Sequence, residues 1–388
     1  MSAALWLGLR ALAHHRGRAL LLALATAFVA FVPIAITRFM GAVEAAALAR
    51  ADASPLVIGA RGSRFDLVLS ALWFRGRTPD LLRLDELERV RRDGLAEPVP
   101  LLVRHTAQGW PLVGTTSQYY RHRGLRLAEG ELPLMLGECV LGATVAERLG
   151  LRTGDVLRSD PENALALDGA YPLRMRICGV LARCGTADDA AAFASLETTW
   201  ILEGLMHGHG DARSQDQARV IRRDGERVVL DSGIVEYQEV TPENAASFHV
   251  HGERDALPLS AILALPRDVR SATLLLARYR VLDSVEAVVP RAVVLELLAW
   301  VLSLERVFVL QVVCVAIATA MLLALVLALV VRLRAREIET LARVGASRAT
   351  VAAAFAVEFG AILLGGAVLA LGLAWVTVSV LRSVLPWL

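Results

Sequence analysis

Two pairs of histidines in this chain have a spacing that could ligate a metal ion. His207 and His209 lie two residues apart, as do His249 and His251. Imidazole is a common ligand of zinc and of copper, so two such pairs could coordinate either metal. The alternative is a set of solvated loop histidines, which we favour because no cysteine or carboxylate pattern completes a site. His207 and His209 are weak candidates, and we expect no resident metal.

The chain has four cysteines, two of which are close in sequence. Cys178 and Cys184 are six residues apart. In an oxidising compartment they could form a local disulfide, provided that the fold brings their Cα atoms within about 7 Å. Cys314 lies in an apolar run and is expected to pack there, and Cys139 has no evident partner. The spacing leaves both the bonded and the free state of Cys178 and Cys184 open.

The sequence offers no catalytic constellation. No serine or cysteine stands in a strand, glycine-flanked turn and helix pattern typical of a nucleophile elbow. Asp188 and Asp189 are adjacent, so their side chains would point apart on a strand, and we interpret them as part of a solvated loop. All 41 basic residues are arginine, so the lysine of a phosphate-binding P-loop is missing. We predict a non-catalytic protein without a cofactor of its own.

A short charged segment, residues 332–351, lies between two very apolar runs. It contains five arginines and two glutamates. Its apolar residues recur at helical spacing, at Ile338, Leu341, Val344 and Val351. Such an amphipathic helix would lie at a membrane surface and could present a face to a partner. Glu358, which follows it, is either a functional acid within the membrane or a residue held near these arginines, and we favour the second.

Composition predicts that the chain is partly embedded in a membrane. Hydrophobic residues make up 55% and charged residues 21%, and the mean hydropathy is +0.51. The net charge of +2 gives no reason to expect nucleic acid. Because a span needs roughly 20 apolar residues, we predict transmembrane helices at 19–37, 307–331 and 352–381. A cleavable signal peptide is the alternative for the first run, but no clear cleavage site follows it.

The distribution of arginine predicts the topology. Basic residues precede the first span and follow the second, which places residues 1–18 and 332–351 in the cytoplasm. Residues 38–306 and the tail 382–388 then lie outside. The fold class is therefore a membrane protein whose α-helical part has three spans, with a large α+β extracytoplasmic domain inserted between spans 1 and 2.

Within the extracytoplasmic domain, periodicity and turn residues indicate alternating strands and helices. We predict strands at 56–60, 227–230, 233–240 and 261–266, and helices at 84–94 and 268–280. We predict that residues 138–205 form a subdomain, because a new pattern of strand, short helix, turn and strand begins at Glu138. Pro290 begins a stalk helix, 290–306, that continues into the second span.

The segment REIETLARVGASRATVAAAFAVEFGAILLGGAVLALGLA resembles the signature of the FtsX-like permease family of ABC transporters, of the MacB, LolC and FtsX type. The family pattern after the second span is E-I-x-x-L-R-x-L-G-A-S. It is matched by Glu337, Ile338, Leu341, Gly345, Ala346 and Ser347, with Val344 as a conservative substitute and Ala342 where arginine is frequent. ECVLGATVAERLGLRTGDVLR and RMRICGVLARCGT are similar to the MacB-like periplasmic core domain.

This resemblance implies a permease subunit in the bacterial inner membrane, a multi-pass protein with a large periplasmic domain. A separate cytoplasmic ATPase dimer would bind ATP and Mg²⁺, and its motion would reach the outer domain by mechanotransmission. The function would be export, efflux, or lipoprotein and lipid handling in the envelope. The alternative is an FtsX-like regulatory or scaffold protein that controls an extracytoplasmic partner without transporting a substrate.

The resemblance also implies sites and partners. The coupling segment would contact the ATPase through Ile338, Leu341 and Val344, with Gly345 ending the helix. Arg343 and Arg348 would meet acidic groups of the ATPase or lipid phosphates. Further expected partners are a second permease subunit, in a homodimer or heterodimer, a periplasmic adaptor or outer-membrane component, and membrane lipid. The family has a fourth span that this sequence lacks, so either three spans suffice or a second subunit completes the membrane part.

Overall fold

A computed structural model describes residues 3–76, 80–161, 172–208, 220–224, 227–230, 239–250 and 252–384. The chain divides into a helical unit, Met1–Ala45 and Leu298–Leu385, and an α/β unit, Ala46–Leu297. Among the described residues, three helical segments are long and apolar enough to cross a bilayer: Arg16–Asp52, Leu310–Leu333 and Arg348–Val380. Each overlaps one of the three runs that the sequence predicted as spans.

The described part of the chain contains α-helices in both units. In chain order they are α1 Ala3–His14, α2 Arg16–Asp52, α3 Arg64–Trp73, α4 Leu84–Asp93, α5 Ser117–Arg123, α6 Ala143–Leu149, α7 Leu196–Leu202, α8 Val269–Arg280, α9 Pro290–Leu333, α10 Ala335–Arg343 and α11 Arg348–Val384. Short 3₁₀ helices occur at Ala187–Ala190, Ala245–Ser247 and Arg254–Ala256.

Strands occur only between α2 and α9 in the described chain. They are β1 Leu56–Ala60, β2 Leu82–Arg83, β3 Ala96–Ala107, β4 Trp110–Thr115, β5 Leu127–Gly130, β6 Glu138–Leu141, β7 Val156–Arg158, β8 Arg174–Leu181, β9 Ala192–Ser195, β10 Met206–His207, β11 Val220–Asp224, β12 Arg227–Leu230, β13 His249–Val250, β14 Pro258–Leu259, β15 Ala261–Pro266 and β16 Val285–Val288. The predicted strands at 56–60, 227–230 and 261–266 are confirmed. Most of the predicted strand at 233–240 lies outside the described residues.

The α/β unit is built on a ten-stranded sheet in the order β16-β1-β15-β3-β4-β9-β6-β8-β5, with β7 paired to β8. The pairs β4–β9 and β6–β8 are parallel, and the other pairs in this sheet are antiparallel. The segment 138–205 supplies β6 to β9 to this same sheet. It is therefore joined to the rest of the unit by strand pairing, through β9 and β4.

Two apolar clusters among the described residues stabilise this unit. One surrounds β1 and β15, where α8 contributes the buried Leu275 and Tyr279. The other surrounds β6 and β8, where Ile177 of β8 and Val145 of α6 are fully buried. A side chain caps the start of α3, where Ser63 accepts a hydrogen bond from the Asp66 backbone amide.

In the helical unit, two glycines lie where helices approach closely. A Cβ atom on Gly366 of α11 would come within 2.8 Å of the Ala23 carbonyl oxygen of α2, and one on Gly8 of α1 within 2.8 Å of the Ala354 carbonyl oxygen of α11. Glycine lets helix backbones approach in this way. The residue next to Gly366, Gly365, faces open space, so of these two adjacent glycines Gly366 is the one at the helix contact.

Candidate functional site

The predicted coupling segment, 332–351, contains parts of three helices. The structure divides it into the end of α9, the nine-residue helix α10, a turn at 344–347 and the start of α11. The predicted end of the helix at Gly345 agrees with this turn, whereas the break at Arg334 between α9 and α10 was not predicted. The short helix α10 is highly amphipathic, and none of its residues is fully buried.

The turn after α10 explains why glycine, alanine and serine stand together in it. Gly345 has φ of 98°, a left-handed conformation that ends a helix readily because glycine has no Cβ. Ser347 then accepts a hydrogen bond from the Thr350 backbone amide at 3.1 Å and so caps the start of α11. Ala346, between them, is half-buried. Each of the three therefore has a definite structural role in reversing the chain.

A buried ion pair links the start of α10 to α11. Arg334 Nη1 donates to Glu358 Oε2 at 2.9 Å and to Oε1 at 3.2 Å, and its Nε donates to Glu337 Oε2 at 2.8 Å. The Arg334 guanidinium carbon also lies 5.3 Å from the centre of the Phe355 ring. The interpretation of Glu358 as a residue held by the arginines of this segment agrees with this geometry.

Hydrogen bonds favour the charged forms of Arg334 and Glu337. Burial opposes the charge of Arg334, but hydrogen bonds to Glu337 and Glu358 outweigh it and raise the pKa of Arg334. The hydrogen bond from Arg334 lowers the pKa of Glu337. Nearby, burial and the charge of Arg18 lower the pKa of His15, which accepts a hydrogen bond from Arg18 at 2.7 Å. The cluster is thus a pair of carboxylates held around one arginine.

Two cavities flank α10 in the helical unit. A cavity of about 540 Å³ lies between α10, α11 and α1, where Leu7, Arg10 and His14 contribute to its wall. A second, of about 620 Å³ and mainly apolar, is lined by α10, α11 and the end of α9. Ile338 and Ala346 line both cavities. The short helix α10 therefore borders a cavity on each of two sides and is not enclosed by packed side chains.

The predicted docking face is only partly exposed. Ile338 and Leu341 are half-buried, and Leu341 lines the cavity beside α1. Val344 is 83% exposed. Of the other predicted residues, Glu337, Arg343, Gly345, Ser347 and Arg348 are exposed, and Arg343 pairs with Glu339 at 2.7 Å.

Sequence reasoning missed α1 and Arg334. Residues 1–18 were predicted only as a cytoplasmic segment, whereas α1 packs against α11 through Gly8. Leucine and alanine repeats in ALWLGLRALAH were a signal for this helix. Arg334 is one of five arginines in residues 332–351, and no neighbouring residue in the sequence distinguished it from the other four.

The cysteine and histidine candidates are separate from this site. All four cysteines are free thiols, so no disulfide joins Cys178 and Cys184 in this structure. Burial raises the pKa of the Cys178 thiol to about 11. His207 lies opposite His249 across the β10–β13 pair, with ring centres 5.2 Å apart. His209 and His251 lie outside the described residues, among which no metal-binding group of three side chains occurs.

The interpretation of Asp188 and Asp189 as a solvated loop was wrong. Both are buried. Asp188 binds Arg50 of α2 with Nη1 to Oδ2 at 2.6 Å, and accepts a hydrogen bond from Tyr119 at 2.5 Å. Asp189 accepts hydrogen bonds from the backbone amides of Cys184 and Gly185. Adjacent carboxylates can both be buried here because each has its own set of donors.

Comparisons with known proteins address the C-terminal region and the α/β unit. Residues 309–387 match the family described as FtsX-like permease C-terminal, which confirms the resemblance for that region. No curated protein matches the chain. The chain is similar to the periplasmic region of MacB from Actinobacillus actinomycetemcomitans, at 11% identity over 61% of this chain and 89% of that chain, with a TM-score of 0.34. It is also similar to the extracellular domain of the noncanonic ABC-type transporter YknZ from Gram-positive bacteria, at 10% identity over 60% and 98%, with a TM-score of 0.32.

Proposed function

We propose that this chain, whose residues 309–387 belong to the FtsX-like permease C-terminal family, is the inner-membrane subunit of an ABC transporter. It would work with a second permease subunit and a separate cytoplasmic ATPase dimer. ATP hydrolysis by the ATPase would move α10, and the movement would reach the α/β unit outside the membrane. The work done there would be export, efflux, or the handling of lipoproteins or lipids in the envelope.

The family match is the observation that carries this proposal. It spans the second apolar helix, α10 and the third apolar helix, and so includes the entire predicted coupling segment. Within it, α10 is a separate helix with an exposed outer side, and Val344 follows directly as an exposed apolar residue. Isolated exposed apolar side chains are common on proteins. One at the end of a short, charged helix between two spans is a suitable contact for a partner.

The helix α9 supports transmission of movement. It runs for 44 residues from Pro290 to Leu333 without a proline or glycine in its interior. Those residue types are the usual causes of kinks and weak points in a helix. An uninterrupted helix that connects β16 to α10 along the chain is able to act as a lever.

The first experiment tests docking with Val344→Asp. A charge at this exposed position would remain solvated in the free chain but would be costly to bury against an ATPase. We expect roughly tenfold less ATPase to copurify with the tagged chain from its native membrane, measured by mass spectrometry. Leu134→Asp is the matched control, because Leu134 in the α/β unit is 81% exposed, and it should leave recovery unchanged. Equal recovery with both variants would contradict the proposal.

Leu341→Asp is less specific than Val344→Asp. Leu341 is half-buried and lines the cavity beside α1. A carboxylate there would disturb packing within the helical unit as well as docking. Loss of ATPase with Leu341→Asp alone, while Val344→Asp retains it, would therefore point to misfolding and would count against the exposed end of α10 as the docking surface.

The second experiment tests the lever with Leu302→Pro. Proline removes a helical hydrogen bond and clashes with the preceding turn, at a cost of about 3 kcal/mol. We expect the ATPase still to copurify, while ATP no longer changes the protease sensitivity of the α/β unit. Leu302→Ala, which keeps the helix, should retain the ATP response. Retention of the response in Leu302→Pro would exclude α9 as the lever.

A further inference from the structure

A cavity of about 370 Å³ lies in the α/β unit, away from the coupling segment. Its walls are the last turns of α2, Trp73 of α3, the end of α5 and the loop that leads to Asp188. The proposed function assigns no role to this cavity. Its volume corresponds to about twelve water molecules at roughly 30 Å³ each, so it is large enough for a small organic molecule.

One wall of this cavity has a cationic side chain that the described protein does not satisfy. Arg123 lines the cavity, and its Nε and Nη2 atoms are buried with no hydrogen-bond partner in the described chain. Its guanidinium carbon lies 5.7 Å from the centre of the Tyr119 ring. The face of the Tyr119 ring attracts the guanidinium cation, but it is not an ordinary hydrogen-bond acceptor for the Arg123 N–H groups. His122, the preceding residue, also lines the cavity and has an unpartnered Nε2 atom.

The nearest acidic group is already occupied. Asp188 lines the same cavity, but its oxygens accept from both Arg50 Nη atoms, from Tyr119 and from Thr186 Oγ1 at 2.7 Å. The neighbouring Asp189 is bound to backbone amides. Neither aspartate accepts a hydrogen bond from Arg123 in the described chain, although the charge of Arg123 acts on Asp188. An oxyanion in the cavity is a group that would supply an acceptor to this side chain.

Several of the other residues that line the cavity are apolar. Ala46 and Ala49 lie three residues apart on α2, and Ala53 follows four residues later, so that the three share one side of the helix. Leu125 and Trp73 extend this apolar wall. Small side chains at the alanine positions leave room that larger residues would fill. The cavity thus combines a cationic wall with an apolar one.

We infer that this cavity binds a small amphiphilic oxyanion, with its carboxylate or phosphate group on Arg123 and a short apolar chain against the alanine face of α2. The inference goes beyond the proposed function and does not depend on ATPase docking. Because the ligand would touch both α2 and the loop before Asp188, its binding would stabilise the contact between these two elements.

Binding can be measured by isothermal titration calorimetry on the full chain in uncharged detergent. The probes are hexanoate and hexyl phosphate, with hexanol as the control for the chain alone and inorganic phosphate as the control for the charge alone. We expect saturable binding of one or both charged amphiphiles, tighter than either control. Binding of only one of them identifies the carboxylate or the phosphate as the recognised group.

The variants test the two walls separately. Arg123→Gln should weaken binding by about tenfold or more, because a charge-assisted hydrogen bond is lost. Arg121→Gln, on the exposed side of the same helix, should bind as the unaltered chain does. Ala49→Leu should abolish binding by filling the cavity while keeping Arg123.

Several results would overturn the inference. Equal binding of hexanol would exclude an oxyanion site, and equal binding of inorganic phosphate would exclude an amphiphile. Unchanged affinity in folded Arg123→Gln would exclude Arg123 as the anchor. If Arg123→Gln does not fold, Ala49→Leu decides, because unaltered binding in that variant would place the ligand elsewhere.

Discussion

The two units of this protein each contain a buried arginine–carboxylate pair. In the α/β unit, Arg50 binds Asp188 with N···O distances of 2.6 and 3.1 Å. In the helical unit, Arg334 binds Glu358 at 2.9 and 3.2 Å. Each pair joins two different elements, and each arginine lies near a phenylalanine ring. By distance alone the two pairs are alike.

They differ in what else surrounds them. The side chains of Arg50 and Asp188 are 6% and 2% exposed, and their remaining groups are bound by Tyr119, Thr186 and the Leu72 carbonyl. The second partner of Arg334 is Glu337, whose side chain is 58% exposed. The first pair has only buried or half-buried partners, whereas Arg334 and Glu358, which are 10% and 8% exposed, share their cluster with a carboxylate that lies in solvent. We call the first pair closed, because buried or half-buried groups bind both of its members and hold one arrangement. We call the second open, because Arg334 has a second, exposed carboxylate partner with which it can exchange.

The largest effect is expected from Asp188→Asn. It would leave the Arg50 charge buried without its counterion, which costs about 3–5 kcal/mol of unfolding free energy. Chemical denaturation of the purified chain, followed by tryptophan fluorescence, measures this loss. Asp52→Asn is the control, because the Arg291–Asp52 pair is 50% and 49% exposed and should contribute below about 1 kcal/mol. Similar losses in both variants would remove the distinction between closed and open pairs.

A smaller loss is expected from Glu358→Gln. Arg334 would keep Glu337 as its counterion, and the amide oxygen of Gln could still accept a hydrogen bond, so we expect about 1–3 kcal/mol. The same denaturation experiment applies. Glu339→Gln is the control, since its partner Arg343 is 78% exposed. A loss as large as that of Asp188→Asn would show that the helical-unit pair is equally closed.

Acid should remove part of the contribution of the Asp188 pair. Burial alone would raise the pKa of Asp188, but the charge of Arg50 and the hydrogen bonds from Arg50 and Tyr119 outweigh it and lower the pKa below the ordinary 3.8. A lowered folded-state pKa means that stability is complete above the unfolded value and is lost as pH falls through the folded value. The difference between the unaltered chain and Asp188→Asn should therefore be constant down to about pH 5 and narrow below about pH 4. A constant difference at pH 3 would contradict this account.

The sequence predicted features that depend on neighbouring residues. The strand at 56–60 and the end of the helix at Gly345 both follow from local pattern, and the structure has β1 at Leu56–Ala60 and φ of 98° at Gly345. The break between α9 and α10 at Arg334 was missed, because no glycine, proline or capping side chain marks it in the sequence.

The buried ion pairs show where sequence reasoning fails. Arg50 and Asp188 are 138 residues apart, and a pair of adjacent aspartates with no basic neighbour is typical of an exposed loop. Their burial depends on tertiary contacts between α2 and the loop after β8. The Arg334–Glu358 pair, only 24 residues apart, was within reach of the reasoning that placed Glu358 near the arginines. The pair with the shorter sequence separation was therefore anticipated, and the pair with the longer separation was not.

The smallest effect is expected from Glu337→Gln, and it gives the sharpest test of an open pair. Because Glu337 is mostly exposed, losing its charge alone should cost below about 1 kcal/mol. In Glu337→Gln with Glu358→Gln, however, Arg334 would lose both counterions, so the loss should exceed the sum of the single losses by about 0.5 kcal/mol or more. A double-mutant cycle by chemical denaturation measures this coupling. Strict additivity would show that the two glutamates do not substitute for each other, and the helical-unit pair would then be as fixed as that of Arg50 and Asp188.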